Sequence, residues 1–446
     1  MRLSGYEIAS KIRELGGRAL LVGGCVRDRL RGEERPKDVD LEVFGVRPEQ
    51  VLEAFPGANT VGKAFGVIKA GNVDIAFPRR ETKTSPGHRG FEIECDPFLP
   101  LKEAAARRDF TVNAIYQDPL TGEVLDPYGG VPDLRAGRLR AVSEHFAEDP
   151  LRVLRGMQFV ARFDLTPTEE LVATCRAMTP EGLPKERQFE EWEKLLLQGK
   201  KISQGLEFLR ATGWVKYYPE LAACIGCEQD PEWHPEGDVW NHTLQCLDRM
   251  KTDEIEVALA VLCHDFGKPY CTKFDPEKGR IRSLGHDTIG VEYCLRFLRR
   301  LTNEEKILKA VPPLVQYHMA PYAYHRDGAS DAAVRRLAAR VGRIDRLLEV
   351  ARADGASEAA LNWLRGKSEA LEVAANAPKP IVLGRHLLAE GFRAGPHLGE
   401  ILKATYEAQL DGEFFDLQNG VKYAIIYSNQ HKTEPEVGDE SGRNQY

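Results

Sequence analysis

Two aspartates, Asp38 and Asp40, stand two positions apart in the run of residues 37–43, KDVDLEV. The run predicts a β-strand, in which both carboxylates point to the same face. Adjacent carboxylates repel each other unless cations lie between them. A pair of Mg²⁺ ions about 4 Å apart would offset this repulsion. Paired metal ions are a standard device for phosphoryl or nucleotidyl transfer. Taken alone, two such aspartates more often lie on a solvated strand edge. Whether they bind metal must therefore be judged from the neighbouring motifs.

The elements around this pair favour the chemical interpretation. Residues 6–16 predict a helix, Arg18–Val22 a buried strand, and the segment after Gly23 and Gly24 a second helix that carries Arg27. Glycines between a strand and a helix let backbone N–H groups approach a phosphate closely. An arginine there would add positive charge. A Gly-Gly turn is usually only a turn, but here it precedes the two aspartates.

Four further motifs follow in a fixed order, and together they resemble a known family. The motifs are GGCVRDRLRG at 23–32, RRDFTVNA at 107–114, DPYGGVPDL at 126–134 and EDPLRVLR at 148–155. With the aspartate pair they resemble the nucleotidyltransferase superfamily, and within it the class II tRNA nucleotidyltransferases (CCA-adding enzymes) and the bacterial poly(A) polymerases. The resemblance implies that Asp38 and Asp40 are catalytic and bind Mg²⁺. It also implies nucleotide binding by Gly24, Arg27, Arg108, Asp149, Arg152 and Arg155.

Asp149, Arg152 and Arg155 recur every three residues along one face of the predicted helix. Without context, an intrahelical salt bridge would explain them. Cytosine and adenine both present an amine donor beside a ring-nitrogen acceptor. Asp149 can accept from the amine, and Arg152 can donate to the ring nitrogen. Uracil and guanine present the opposite pattern and would leave a buried charge unpaired. The pair therefore predicts a protein template for C and A.

Three other features of the head carry weaker expectations. Asp109 is expected to orient neighbouring arginines rather than to bind metal, and Asp74 is a candidate third acid on the predicted strand 72–77. Residues 80–106 open with a polar stretch rich in Gly, Ser, Thr and Pro and predict a loop. In the family that it resembles, a mobile loop here is associated with the switch from C to A addition. Its presence favours addition of CCA or A over addition of CC alone.

A second group of potential metal ligands lies in the middle of the chain. His264 and Asp265 are adjacent on an apolar predicted helix, where burial is costly unless they are paired or metal-bound. With His242 upstream and Asp354 downstream they resemble the HD phosphohydrolase domain, whose four ligands bind a divalent metal. His286 and His318 stand where some members add ligands, and Lys268 is a candidate phosphate contact. Imidazole with carboxylate suits Ni, Mn, Co, Fe or Mg better than thiolate-type zinc. Cys224 and Cys227 permit a zinc alternative, but their spacing fits no common finger.

Composition limits the setting of these sites. The chain has 446 residues, a net charge of −7 and nine cysteines. The odd, scattered cysteines favour reduced thiols and a cytoplasmic location. No run of about 18 apolar residues predicts a membrane span. Because the net charge is negative, any nucleic acid must bind to local basic patches. The state predicted is a monomer or homodimer.

These observations predict an α+β chain with a small mixed nucleotidyltransferase sheet at the N-terminus followed by helices. The predicted domains are a head at 1–140, a helical neck at 141–220, an HD domain at 221–356, a tRNA-binding helical tail at 357–428 and a disordered end at 429–446. The expected function is addition of CCA to tRNA from CTP and ATP, with a phosphohydrolase acting on RNA ends or nucleotides. The alternatives are an A-adding or CC-adding half enzyme, a poly(A) polymerase, or chiefly an HD phosphohydrolase that repairs RNA 3′ ends.

Overall fold

The computed structural model of the chain describes residues 4–33, 39–61, 67–71, 73–83 and 91–431. A mixed sheet at the N-terminus is followed by many helices, which confirms the α+β expectation. Asp38, the middle of the predicted loop at 84–90, and the end of the chain at 432–446 lie outside the described residues. Among the described residues, no helix has both the length and the apolar character needed to cross a membrane.

The head is built on a seven-stranded sheet. Its strands, in order across the sheet, are Asn59–Val61, Val67–Ala70, Val73–Ala76, Val39–Phe44, Arg18–Val22, Tyr116–Gln117 and Val124–Leu125. The strands Val39–Phe44 and Val73–Ala76 are parallel, and the other neighbours are antiparallel. The parallel register places Asp40 opposite Asp74. Directly paired residues share a face of the sheet, so the predicted third acid lies beside Asp40.

The described parts of the predicted loop at 80–106 form strands and a helix, so the expectation was wrong for those residues. Arg79–Lys83 and Phe91–Cys95 pair as an antiparallel hairpin, and Leu101–Ala106 forms a helix. The run FEIEC alternates apolar and polar residues, which is the period of a strand. The polar residues that precede this run in the sequence, TSPGHRG at 84–90, concealed that period.

Helices surround the sheet and make up most of the remaining chain. Those of the head are Gly5–Glu14, Gly24–Leu30, Pro48–Ala54, Leu101–Ala106 and Gly130–Arg135. Those that follow are Leu151–Phe163, Glu169–Arg176, Lys185–Gln198, Ile202–Ala211, Pro219–Ala222, Val239–Arg249, Ile255–Cys263, Lys268–Cys271, His286–Leu301, Glu305–Gln316, Ala320–Asp327, Asp331–Val341, Ile344–Asp354, Glu358–Ala370, Gly384–Ala389, Pro396–Asp411 and Leu417–Gln430. The last helix extends two residues past the expected boundary at 428.

Short elements connect these helices. Single turns of 3-10 helix lie at Thr111–Asn113, Glu144–Glu148 and Trp214–Tyr217. Arg138–Leu139 pairs in parallel with Thr166–Pro167, and Lys273–Asp275 pairs with Arg280–Arg282 as a hairpin. This second hairpin interrupts a region for which the sequence predicted helices alone.

The hydrophobic core falls into separate clusters. Two clusters lie on the faces of the head sheet, and a third lies among the helices after residue 381. The largest has its members between Phe110 and Val373 and joins the neck to the middle of the chain. Trp214 and Tyr218 are buried in it. Neck and middle therefore form one packed body across residue 220.

Candidate functional site

A cavity of about 470 Å³ lies between the head sheet and the helix Leu151–Phe163. We call it the nucleotide cavity, after the nucleotide binding that the sequence predicts for several of its residues. Its lining residues are Gly23, Gly24, Arg27, Asp40, Arg108, Asp109, Asn113, Asp149, Leu151, Arg152, Arg155, Gln158, Phe159, Arg162, Arg187 and Lys194. Seven of these carry positive charge and three carry negative charge. Such a cavity suits a polyanion that arrives with divalent cations.

Asp40 reaches this cavity from the strand Val39–Phe44 and is exposed. A side chain added to Gly23 would lie 3.9 Å from Asp40 Oδ2 and 3.5 Å from Arg108 Nη1. Gly23 has a φ of +77°, which favours glycine. The backbone at Gly23 therefore lies beside both the carboxylate and the guanidinium. Asp74, opposite Asp40, has Lys69 Nζ 3.6 Å from its Oδ1. Carboxylate oxygens are the ligands that Mg²⁺ prefers, so these residues fit that ion.

Arg108 is fixed by a buried carboxylate that the sequence analysis did not single out. Its Nη2 donates to Glu42 Oε2 at 2.8 Å, and Tyr116 Oη donates to the same oxygen at 2.9 Å. Burial raises the pKa of Tyr116 above its usual value, so the phenol stays a hydrogen-bond donor. Glu42 stands two residues after Asp40, on the same face of the strand. That spacing was the signal available in the sequence.

Arg27 is almost wholly buried at the base of the cavity. Its Nη1 donates to Asn113 Oδ1 at 2.8 Å, and its guanidinium lies 4.0 Å from the centre of the Phe163 ring. Burial lowers the pKa of Arg27, and Asp28 counteracts that effect. The contacts hold the charge in one orientation toward the cavity.

Asp109 pairs with Arg155, in the orienting role that the sequence suggested. Its Oδ2 accepts from Arg155 Nε at 2.8 Å, while its Oδ1 accepts from the Phe110 N–H and from Asn113 Nδ2. Burial raises the pKa of Asp109, but the charge of Arg155 and these hydrogen bonds hold it below its usual value. The pair joins the RRDF turn to the helix Leu151–Phe163.

Asp149 and Arg152 both line the cavity, as the template hypothesis requires. Asp149 Oδ1 accepts from the Leu151 N–H at 3.0 Å and so caps the helix. Its Oδ2 lies 3.3 Å from Arg187 Nη2. Arg152 donates to the carbonyl oxygens of His145 and Arg107, both at 2.6 Å. These bonds fix the direction of the guanidinium, although burial lowers its pKa.

Three cations of the cavity were missed by the sequence analysis. Arg162 lies at the far end of the helix Leu151–Phe163, and Arg187 and Lys194 lie on the helix Lys185–Gln198. Each stands outside the motifs that carried the resemblance. Only the packing of the two helices brings them to the cavity.

A second site, the histidine–aspartate cluster, forms where helices of the large core meet. His242 comes from the helix Val239–Arg249, and His264 and Asp265 follow the helix Ile255–Cys263. Asp354 ends the helix Ile344–Asp354. His242 Nε2 lies 2.9 Å from Asp354 Oδ1, and His264 Nε2 lies 3.4 Å from the same oxygen. The structure thus brings together all four predicted core residues.

The imidazoles of the cluster are held by their Nδ1 atoms. Nδ1 of His264 lies 2.7 Å from the Val261 carbonyl oxygen. Nδ1 of His286 lies 2.8 Å from the Ser283 carbonyl oxygen, and Nδ1 of His318 lies 2.6 Å from that of Val315. Nδ1 of His242 lies 2.6 Å from Glu236 Oε1. A carbonyl can only accept, so each of those Nδ1 atoms carries the proton and leaves Nε2 to act as a ligand.

The Nε2 atoms face one another and the carboxylates. His286 Nε2 and His318 Nε2 are 3.2 Å apart, and His286 Nε2 is 3.6 Å from Asp265 Oδ1. Among the described residues, His264 Nε2 and Asp265 Oδ1 are buried without a hydrogen-bond partner. Burial lowers the pKa of His318 to about 4, which keeps its ring neutral. Converging lone pairs of this kind fit a cation, and the donor set suits a divalent transition metal.

The potential metal ligands of the described residues fall into three groups. One consists of His242, Cys246, His264 and Asp354, a second of Asp265, His286 and His318, and a third of His234, Glu236 and His242. Lys268 Nζ forms an ion pair with Asp265 Oδ2 at 2.7 Å and donates to Gln229 Oε1. Glu236 and Cys246 were missed by the sequence analysis. Cys246 stands four residues after His242, which places both on one helix face.

A pocket of about 590 Å³ opens onto this cluster. Asp265, Lys268, His286, His318 and Asp354 line its polar end. Its mouth is apolar and exposed, and is formed by Trp233, Leu284, Met319 and Tyr322. Cys224 and Cys227 lie in none of the metal-ligating groups of the described residues, so the zinc alternative gains no support there.

Known proteins resemble this chain in sequence and in fold. The model of the poly A polymerase head domain matches residues 19–140. The multifunctional CCA protein of Halorhodospira halophila is 38% identical over 312 residues, covering 67% of this chain and 72% of the relative. The multifunctional CCA protein of Chromobacterium violaceum is 38% identical over 289 residues, covering 63% and 69%. The chain belongs to the family of multifunctional CCA proteins.

Solved structures support the same architecture. The CCA-adding enzyme of Bacillus stearothermophilus, solved in complex with CTP, has a TM-score of 0.67 and 23% identity, covering 95% of this chain and 96% of that one. The CCA-adding enzyme of Thermotoga maritima, complexed with tRNA, has a TM-score of 0.56 and 19% identity, covering 96% of each chain. At such identities the likeness is one of fold.

Proposed function

We propose that this protein adds CCA to the 3′ end of tRNA from CTP and ATP without a nucleic-acid template. The observation that carries the proposal is the nucleotide cavity, which gathers Asp40, a set of fixed arginines and the Asp149–Arg152 pair. The names of its relatives, and the CTP and tRNA in the solved CCA-adding enzymes, support the same activity.

The acidic side of the cavity would hold the metal ions. Asp40 and Asp38 are the proposed Mg²⁺ ligands, and Asp74 is positioned to assist from the neighbouring strand. Mg²⁺, when bound, supplies activation of the terminal 3′-hydroxyl and stabilises the charge of the leaving pyrophosphate. Arg27 and Arg108 hold the triphosphate beside Gly24, since their own contacts fix their direction.

The opposite wall would select the base. Asp149 accepts a hydrogen bond from the amine of C or A, and Arg152 donates to the adjacent ring nitrogen. Arg155, held by Asp109, supports this wall and adds charge toward the triphosphate. Because the pattern is shared by C and A, one cavity serves both nucleotides.

The test is extension of a tRNA transcript that lacks its last three nucleotides. CTP alone, ATP alone and both together are supplied with Mg²⁺, and the products are sized at single-nucleotide resolution. We expect two additions with CTP and a third only when ATP is also present. A stop after CC, or extension only of tRNA that already ends in CC, would identify a half enzyme. A long A ladder would identify a poly(A) polymerase, and no extension would overturn the proposal.

We propose a second activity, metal-dependent hydrolysis of phosphate esters, at the histidine–aspartate cluster. The observation that favours it is the convergence of four Nε2 atoms and two carboxylates beside an open pocket. His242, His264, Asp265 and Asp354 would hold a divalent transition metal, or Mg²⁺, with His286 and His318 as further ligands. Such a metal, when bound, supplies activation of water and of the phosphoryl group. Lys268 is placed to hold the phosphate.

The substrate proposed is an RNA 3′ phosphate, a 2′,3′-cyclic phosphate or a nucleotide. The apolar mouth of the pocket would accept a base, since Trp233 and Tyr322 are exposed there. Its test compares release of phosphate from such substrates by the wild-type protein, with Ni²⁺, Mn²⁺, Co²⁺ or Mg²⁺, and by His264→Ala. Equal release by both proteins would overturn this second proposal.

A further inference from the structure

Cys246 lies inside the histidine–aspartate cluster and is fully buried. Its Sγ is 3.4 Å from His242 Nε2, four residues earlier on the helix Val239–Arg249. The potential ligand atoms of Cys246, His242, His264 and Asp354 all lie within 4.8 Å of one another. Tetrahedral ligands about 2.0 to 2.3 Å from a metal are separated by comparable distances.

The surrounding atoms independently point to a cation at this position. His264 is 1% exposed, its Nδ1 donates to the Val261 carbonyl, and its Nε2 makes no hydrogen bond within the described part of the chain. A buried nitrogen lone pair of that kind is costly unless something binds it. His242 Nε2 and Asp354 Oδ1 face the same point. The sulfur therefore completes a ring of acceptors around one centre.

A positive charge also lies next to the sulfur. Arg249 Nη2 is 3.5 Å from Cys246 Sγ. Metal binding by cysteine requires the thiolate. A guanidinium at this distance offsets the negative charge that a thiolate would add beside Asp354.

We propose that Cys246 is a ligand of the metal at this site, together with His242, His264 and Asp354. A thiolate is a soft ligand, so the site prefers Zn²⁺, Co²⁺ or Fe²⁺ to Mg²⁺. This inference rests on the proposed hydrolase site, to which it adds the choice of metal. It differs from the sequence-based expectation, which assigned oxygen and nitrogen ligands alone.

The test reads the metal's ligands directly in the full-length protein. After loading with Co²⁺, the wild-type protein should develop a sulfur-to-cobalt charge-transfer band in the near ultraviolet. After loading with Zn²⁺, X-ray absorption should report a sulfur at about 2.3 Å. Cys246→Ser should abolish both signals and weaken binding of Zn²⁺ and Co²⁺ by at least the roughly 10- to 100-fold that loss of a supporting residue costs. Mg²⁺ binding should change far less.

Cys294→Ser is the matched control, because Cys294 is equally buried but belongs to none of the metal-ligating groups of the described residues. It should retain both signals. Bound Co²⁺ or Zn²⁺ with only nitrogen and oxygen ligands in the wild-type protein would overturn the role of Cys246 and leave the hydrolase site standing. Failure of the wild-type protein to bind either ion would overturn the role of Cys246, and failure to bind Ni²⁺, Mn²⁺ and Mg²⁺ as well would overturn the hydrolase site. Because the wild-type spectra decide the question, a misfolded Cys246→Ser variant would not obscure it.

Discussion

Asp149 shows how one carboxylate divides its oxygens between folding and recognition. Oδ1 accepts from the Leu151 N–H and caps a helix, while Oδ2 faces Arg187 and the nucleotide cavity. An amide at this position could keep the cap through its oxygen. It would then turn an NH₂ group toward the cavity, where the proposed function needs an acceptor. The two roles can therefore be separated by one substitution.

We expect Asp149→Asn to lower kcat/KM for CTP and ATP by about 10- to 100-fold, the value of a hydrogen bond to a charged group. The ratio of CTP to UTP incorporation should fall with it, because the amide no longer favours a base that presents an amine. Incorporation kinetics with each of the four nucleotides measure both quantities. Arg187→Gln is the control, since it removes the ion pair with Asp149 but keeps the acceptor, and the CTP to UTP ratio should stay high. An unchanged ratio in Asp149→Asn would remove Asp149 from base selection.

At the scale of the elements, the helices Leu151–Phe163 and Ile202–Ala211 approach closely at Gly205. A Cβ added there would lie 2.6 Å from Leu195 Cδ1 and 2.7 Å from the Met157 carbonyl oxygen. The backbone oxygen cannot move aside without moving the helix whose first turn carries Asp149 and Arg152. Gly205 thus links helix packing to the geometry of the nucleotide cavity.

Gly205→Ala should lower the free energy of unfolding by about 1–3 kcal/mol, the usual cost of overpacking. Alanine normally stabilises a helix relative to glycine by about 1 kcal/mol. A decrease in the free energy of unfolding of Gly205→Ala would therefore indicate the close helix contact by its sign alone. Gly366→Ala, in the helix Glu358–Ala370, is the matched control because its added Cβ meets no atom within 4 Å. It should leave stability unchanged or raise it. Urea denaturation of the two variants makes the comparison, and stabilisation by Gly205→Ala would contradict the packing argument.

The Asp109–Arg155 pair connects the head to the same helix and gives the connection a pH dependence. The folded-state pKa of Asp109 is below its usual value because Arg155 and two hydrogen bonds outweigh burial. Its contribution to stability is therefore present above the ordinary aspartate pKa of about 3.9 and is lost as the pH falls below it.

Asp109→Asn should reduce the loss of stability between about pH 7 and about pH 3, because the variant has no carboxylate to protonate there. Urea-unfolding midpoints across this range, compared with the wild-type protein, measure the effect. Asp327→Asn removes an exposed carboxylate paired with Arg326, and should change the profile little because exposed pairs are screened. Parallel profiles for Asp109→Asn and wild type would show that the buried pair does not control acid stability.

The sequence predicted those elements whose pattern is local. Arg18–Val22 has the predicted bounds, and His242, His264, Asp265 and Asp354 converge as expected. Lys194 and Cys246 could not be assigned from the sequence, because nothing in their own neighbourhoods shows which cavity their helices will face. The hairpin Arg79–Lys83 and Phe91–Cys95 was missed because the polar residues at 84–90 in the sequence outweighed a short alternating run.

At the scale of the whole molecule, the two proposed sites rest on different cores. Asp40 belongs to the sheet whose hydrophobic clusters are confined to the head, whereas His264 is embedded in the large helical core from Phe110 to Val373. The helix Leu151–Phe163 belongs to the helical core and still lines the nucleotide cavity. A change at the strand edge of the head should therefore leave the histidine–aspartate cluster intact. A change in the histidine–aspartate cluster should likewise leave the strand edge of the head intact.

Asp40→Ala should lower tRNA extension by more than about 100-fold, the upper range for loss of a residue that merely supports a metal ligand. It should retain Co²⁺ binding and phosphate release, because no part of the histidine–aspartate cluster is touched. His264→Ala should lose Co²⁺ binding and phosphate release while extending tRNA normally. Extension by single nucleotides, cobalt content and phosphate release, measured on the same preparations, give the full comparison. Continued extension by Asp40→Ala would refute its role as a metal ligand, and loss of both activities in either variant would refute the independence of the two sites.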